Sequence, residues 1–293
     1  MGFPYLLSRL DEAGVERAVI MVREVDEGRL GVLARRHPRR IVPFIGGRLF
    51  QASLQRGSHR RKVGGVRHYR GFREEWWRSR GEAVFRAMEK GLRSGGFRGV
   101  GEIRLKHRGF GPGVPEMKCD YDFEMDSPVI LRLLRLAGRY RVPMTVHLEV
   151  DVDRRRRLDT FSRALRLVPE TPVVWAHAGP CDAATLDRML GAHPNLSAEI
   201  MPLVRNTYVH KVPYLRTFPP LTDRKGRLLT PWRRVLARRA GRLLVGSDCR
   251  TVPEYRHLRT RMEDMRGILA QLPGAAAEKI AHQNADRLFR GGR

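Results

Sequence analysis

A chain of 293 residues, 42% hydrophobic and 30% charged, is long enough to bury a full core and is too apolar for wholesale disorder. It has no apolar run of membrane-spanning length, no secretory-signal pattern at MGFPYLLSRLDEAG and only three scattered cysteines, so no disulfide framework is expected and the cytosol is the default compartment. The formal charge of +26 comes from 50 Arg and 7 Lys spread along the chain, with small clusters at 35–40 and 154–157 that read as solvated faces, so nucleic acid is not the expected partner despite the charge.

Residues 5–13 have helical spacing and stop at Gly14. AVIMV (18–22) is the first short β-branched run, 27–37 an amphipathic helix, and IVPFIGG (41–47) the second strand. A long polar insertion through about residue 78 follows, holding HRRK (59–62) and the pair Trp76-Trp77. Helix 81–94 leads into strand VGEIRL (100–105), a second insertion (106–126) and a helix from Ser127-Pro128. MTVHL (144–148), helix 156–167, PVVWAHA (172–178), helix 182–192 and LSAEI (196–200) continue the alternation. A third excursion, 201–229, precedes helix 231–240, strand RLLVGSD (242–248) and helical segments at 254–271 and 275–289.

Seven short apolar strands, each followed by helical sequence, predict parallel pairing through crossover helices. The pattern fits one α/β domain over 1–293, a TIM-type (β/α)8 barrel that is incomplete because the chain opens on a helix where the first strand belongs. A doubly wound open sheet competes with this, but no GxGxxG follows the first strand. The gap in such a barrel leaves strand edges open to pairing with another chain, which allows a homo-oligomer.

Barrel strands present their chemistry at their carboxyl ends. Here Glu102, His147, His177 and Asp248 all stand at or near such ends. Each has a bland reading alone: a core histidine bonded to a carbonyl, a turn-capping aspartate, a glutamate paired with an arginine. Their coincidence on one rim favours metal-assisted hydrolysis. Neutral imidazoles and carboxylates bind Zn²⁺ or a similar divalent ion, which lowers the pKa of its bound water to about 7. A neighbouring carboxylate then serves as general base. His68, His107 and His210 lie in the long loops, where a solvated histidine is the commoner case.

At these residues the chain resembles the metal-dependent amidohydrolase superfamily, in its amidohydrolase-related branch. The resemblance rests on GVERAVIMV (14–22), VPMTVHLEVD (142–151), VVWAHAGP (173–180), LLVGSDC (243–249) and the closing KIAHQNADRLF (279–289). It implies that His147 is a metal ligand, His177 a ligand or acid/base, and Asp248 a ligand and proton acceptor for the nucleophilic water. GEIRL also resembles strand four of TatD-type nucleases, which implies a metal-binding Glu102. The expected activity is hydrolysis of a small carbon–nitrogen or ester-type substrate, with zinc the expected ion and loop arginines such as Arg104 and Arg205 clamping a substrate carboxylate. A metal-dependent decarboxylase of the same branch and a non-catalytic barrel are the alternatives. The chain departs from the family in having no HxH pair, which in the family comes from the first strand. A start site placed downstream of that strand is the expectation; loss of the metal site or its completion by other residues are the competing explanations.

Overall fold

The computed structural model describes residues 3–21, 27–107, 119–151, 153–201, 219–249 and 252–290. Helix α1 (Phe3–Glu12) ends ahead of Gly14, whose φ of +61° is a conformation that glycine adopts without a Cβ penalty. Strand β1 (Ala18–Met21), helix α2 (Glu27–Arg36) and strand β2 (Ile41–Gly46) follow in the expected order. The first insertion is not a simple polar loop. It holds α3 (Leu49–Arg56), a hairpin of β3 (His59–Val63) and β4 (Val66–Arg70), and the start of α4 (Glu74–Arg93). Strand β5 (Gly99–His107) runs past Leu105, and β6 (Cys119–Asp122) takes part of the second insertion. The alternation then proceeds through α5 (Pro128–Arg139), β7 (Met144–Leu148), α6 (Arg154–Leu167), β8 (Val173–Trp175), α7 (Ala183–Ala192), β9 (Leu196–Ile200), α8 (Thr230–Arg238) and β10 (Leu243–Val245). Four helices close the chain: α9 (Val252–Tyr255), α10 (Leu258–Leu269), α11 (Gly274–Glu278) and α12 (Asn284–Arg290).

The seven strands read from the sequence form one parallel series, β1-β2-β5-β7-β8-β9-β10. Among the described residues β1 and β10 do not pair with each other, so the architecture is a TIM-type barrel left open at one seam. The helices bridge what the sheet does not. Leu6 and Leu10 of α1, with Ala13 just past its end, pack with Leu30 and Leu33 of α2 and with Leu258 and Met262 of α10, the helices that follow the two seam strands. Burying leucines this completely stabilises by about 1.5–3 kcal/mol each, which docks α1 across the outside of the seam.

The strand β5 edge is used twice. Residues 99–101 pair with β2, whereas Lys106 and His107, at the mouth, pair with β6. The β3–β4 hairpin hangs from β6 and so stands at the carboxyl-end rim.

The arginine run 154–157 is only partly the solvated face expected. Arg155 is fully solvated, but Arg157 is 1% exposed and pairs with Asp122 and, at 3.4 Å, with Glu124. It is not a stray charge at a helix start: it lies under α6 and ties that helix to β6. Burial works against ionisation of Asp122, but Lys106 and Arg157 hold its carboxyl below the usual carboxylate range.

Candidate metal centre

The site begins with a close approach of β5 to β7. Gly101 has φ +133°, and a Cβ there would lie 2.6 Å from the Thr145 carbonyl oxygen, so a side chain is not accommodated. That approach sets Glu102 against His147, with Oε1 and Nδ1 2.9 Å apart. Strand alternation brings Glu149 to the same side of β7, 3.2 Å from His147 Nε2. His107, the last residue of β5, stacks on His147 with ring centroids 4.8 Å apart.

The sequence PVVWAHAGP ends its strand earlier than expected. Strand β8 stops at Trp175, and His177 sits on a tight 3₁₀ turn just beyond it. Trp175 is fully buried and donates from Nε1 to the Leu148 carbonyl at 2.9 Å. Its ring lies where a Cβ on Gly179 would have to go, which requires glycine there. The turn holds His177 at φ +56°, and Asp248, three residues past β10, has φ +45°. Left-handed non-glycine residues cost on the order of 1–3 kcal/mol and cluster at functional sites.

Around His177 the carboxylates converge. Glu199 Oε1 is 3.4 Å from Nδ1, and both Glu102 Oε1 and Asp248 Oδ1 are 3.8 Å from Nε2. The Glu199 carboxyl occupies the space in which a Cβ on Gly246 would stand. Gly246→Ala is therefore expected to push Glu199 away from His177 and weaken cation binding about 10–100-fold, as loss of an outer partner does. Isothermal titration with Zn²⁺ checks this, and unchanged affinity would contradict it.

Burial alone would push both imidazoles down, but the carboxylates outweigh it. Glu102 and Glu149 hold the His147 pKa above the ordinary histidine value. Glu199 and Asp248, with Glu102 behind them, push that of His177 up to about 10. Both ring nitrogens of His177 are buried and make no hydrogen bond among the described residues. Buried ring nitrogens without a hydrogen bond are costly, and a divalent cation among these donors resolves that cost. Ligand atoms of Glu102, His147 and His177 lie within 4.8 Å of one another, as do those of His107, His147 and Glu149. The mixed nitrogen and oxygen donors fit a divalent ion such as Zn²⁺ or Mn²⁺.

The structure thus brings together Glu102, His147, His177 and Asp248. The Arg104 guanidinium stands 4.8 Å over the Tyr121 ring. Arg205 and His210 lie outside the described residues. His68 is 2.9 Å from Asp120 on β6. His107 is not a solvated loop histidine: the strand extends to include it and it is buried. Glu149 and Glu199 escaped the sequence reading, although the strand-end rule that found His147 applies to both. A surface groove of about 660 Å³ between α6 and α7, lined by Arg154, Arg155, Arg166 and Arg188, shares no residue with the cluster.

The sequence matches the family model described as amidohydrolase over residues 3–291. No curated protein matches it. Similar solved structures include an uncharacterised TIM-barrel protein from Bordetella bronchiseptica, 16% identical with a TM-score of 0.59, covering 99% of this chain and 83% of that one. An amidohydrolase from Burkholderia multivorans with bound HEPES is 14% identical, with a TM-score of 0.55 over 99% of this chain and 88% of its own. A 2,6-dihydroxybenzoate decarboxylase from Rhizobium is 11% identical, with a TM-score of 0.51 and coverages of 99% and 88%. At these identities the likeness establishes the fold alone.

Proposed function

The chain belongs to the amidohydrolase family, and from that premise we propose that it is a metal-dependent hydrolase of a small carbon–nitrogen or ester-type substrate. The observation that carries this reading is His177, whose two buried ring nitrogens face three carboxylates without a hydrogen bond among the described residues. Glu102, His147, His177 and Asp248 would hold the cation, with Zn²⁺ the ion proposed. The cation supplies an acidified water and polarises the substrate's reacting oxygen. The rest is the work of the chain. Asp248, at the mouth side of the turn after β10, accepts the proton from the attacking water. Glu199 orients the His177 ring from its Nδ1 side. Glu149 does the same for His147 from Nε2. Arg104 and Arg205 would receive a substrate carboxylate, a task to which the bidentate guanidinium is suited. Two imidazoles and four carboxylates give enough donors for a divalent ion without an HxH pair.

Decarboxylation with the same residues is the second reading, in keeping with the fold shared with the Rhizobium decarboxylase. Incubation of the Zn²⁺-loaded protein with panels of amides, lactones and aromatic acids separates the two. Hydrolysis products support the first, released CO₂ the second, and no turnover of any panel contradicts both. No helix among the described residues is long and apolar enough to cross a membrane, and a cytosolic enzyme is the setting proposed.

The protonation of His177 makes a further prediction. In the ion-free fold its pKa is raised to about 10, so a cation must displace a proton at neutral pH. Zn²⁺ affinity is expected to rise about tenfold per pH unit up to about 10. The sign for stability is the opposite in the ion-free protein. The protonated ring stabilises fully below the unfolded pKa of about 6.5, and that contribution is lost as pH rises toward 10. Cation affinity that is flat between pH 6 and 8 would contradict this account of His177.

A further inference from the structure

Asp248 stands in a backbone conformation that an aspartate does not adopt by default. Its φ of +45° is left-handed, and a residue so placed persists only where its surroundings hold it. Relaxation of the turn to an ordinary φ would swing the carboxylate away from His177, from which Oδ1 is 3.8 Å. The turn after β10 therefore needs ties on both sides of residue 248. On the near side the Gly246 N–H donates to the Ile200 carbonyl of β9 at 3.0 Å. On the far side the Cys249 Sγ donates to the Glu254 carbonyl of α9 at 3.5 Å.

Arg261 ties both sides at once. It lies on α10 and is 8% exposed, whereas Arg259 on the same helix is largely solvated and pairs with Glu263 at 2.8 Å. Its Nη1 donates to the Ser247 carbonyl and, at 3.5 Å, to the Cys249 Sγ. These acceptors belong to the residues immediately before and after Asp248. A guanidinium nitrogen carries its N–H groups in a fixed plane, so one nitrogen can reach two acceptors without rotating between them. The helix that delivers it is itself anchored: Leu258 and Met262 pack with α1, and Arg266 donates to the Ala13 carbonyl at 2.7 Å.

Taking Asp248 as a cation ligand, as proposed above, we infer that Arg261 is a positioning residue of the metal centre. By bridging Ser247 and Cys249 it holds the left-handed turn that aims the Asp248 carboxylate at His177. Its effect on the cation passes through Asp248. Lysine keeps a charge and a donor on the same helix but lacks the planar fork, so it replaces arginine here only in part. A buried arginine that served packing alone would support the fold without favouring one metal ligand over another.

The test is a double-mutant cycle on the full chain, read by isothermal titration with Zn²⁺. Arg261→Met should weaken cation binding about 10–100-fold, as loss of an outer partner does, and Arg261→Lys should recover part of that loss. Asp248→Asn, which keeps an oxygen donor, should weaken binding while leaving it measurable. In the Asp248→Asn background, Arg261→Met should cost no more than about twofold further, because both changes act through one ligand. Arg259→Met, on the solvated face of α10, should leave the affinity unchanged. Thermal unfolding of each variant identifies a folding defect, and Arg261→Lys carries the cycle if Arg261→Met does not fold. Unchanged affinity in the Arg261 variant beside a weakened Asp248→Asn would overturn the inference alone. Equal losses from the Arg261 change in both backgrounds would also overturn it, since they mark a structural role. Unchanged affinity in Asp248→Asn would overturn the reading of the site, and the inference with it.

Discussion

His147→Ala is expected to abolish retention of a divalent cation and to cost the ion-free fold about 3–5 kcal/mol. His147 is the one residue common to both groups of potential ligands, so its loss removes a donor from each. Its ring also stands between Glu102 and Glu149, carboxylates buried to within a few per cent, at 2.9 and 3.2 Å. Removing the imidazole takes away the buried partner that both share, and breaking a buried pair is expensive. The cation affinity should fall by more than the ~10–100-fold that an outer partner is worth. Elemental analysis after dialysis and urea denaturation measure the two effects. His282→Ala, on the exposed face near the C-terminus, should change neither. A His147→Ala protein that keeps its metal and its denaturation midpoint would contradict the site.

The second large effect belongs to Arg157. Arg157→Met is expected to destabilise by about 1.5–3 kcal/mol, because methionine replaces the packing volume but removes the charged hydrogen bonds to Asp122 and Glu124, which keep only Lys106 and Arg156 beside them. Arg155→Met, two residues earlier and fully solvated, should be within about 0.5 kcal/mol of the parent. The pH dependence separates charge from packing. The depressed pKa of Asp122 contributes stability that is present above its unfolded value of about 3.8 and lost as pH falls through the folded value. The gap between Arg157→Met and the parent should therefore narrow below about pH 4. A gap that stays constant with pH would assign the loss to packing alone.

Which elements could be read from the sequence follows from how each is stabilised. The seven barrel strands are short apolar runs, and their burial against helices is what the hydrophobic pattern records. Strand β3, HRRKV, is exposed at every position, so it carries no alternation to detect; pairing with β4 makes it a strand. His107 was hidden by geometry. Five positions separate it from Glu102, which in a regular strand puts them on opposite faces, but register shifts in β5 bring both to His147. Glu199 alternates with apolar neighbours in LSAEI and so resembles the solvent side of an amphipathic strand. In a barrel that side faces the mouth. Arg157 was obscured by its neighbours, since a run of four arginines reads as solvated and only the packing under α6 singles one out.

The meeting of Glu102, His147, His177 and Asp248 was legible for the same reason that the barrel was, because strand ends in this architecture share one rim. What the sequence reading placed on strands, the structure moves slightly outward: His177 and Asp248 stand on turns with positive φ just past β8 and β10. Those turns swing the side chains toward Glu102 and Glu199, which a straight continuation of either strand would not do.

The central claim is that one divalent cation sits among Glu102, His147, His177 and Asp248. Anomalous diffraction from crystals of the full chain grown with Zn²⁺, collected on both sides of the zinc absorption edge, tests it most directly. The account predicts an edge-dependent peak within about 2.0–2.2 Å of a His177 ring nitrogen and of at least one of these carboxylates. A zinc peak found only elsewhere on the molecule, with His177 still unligated, would contradict it.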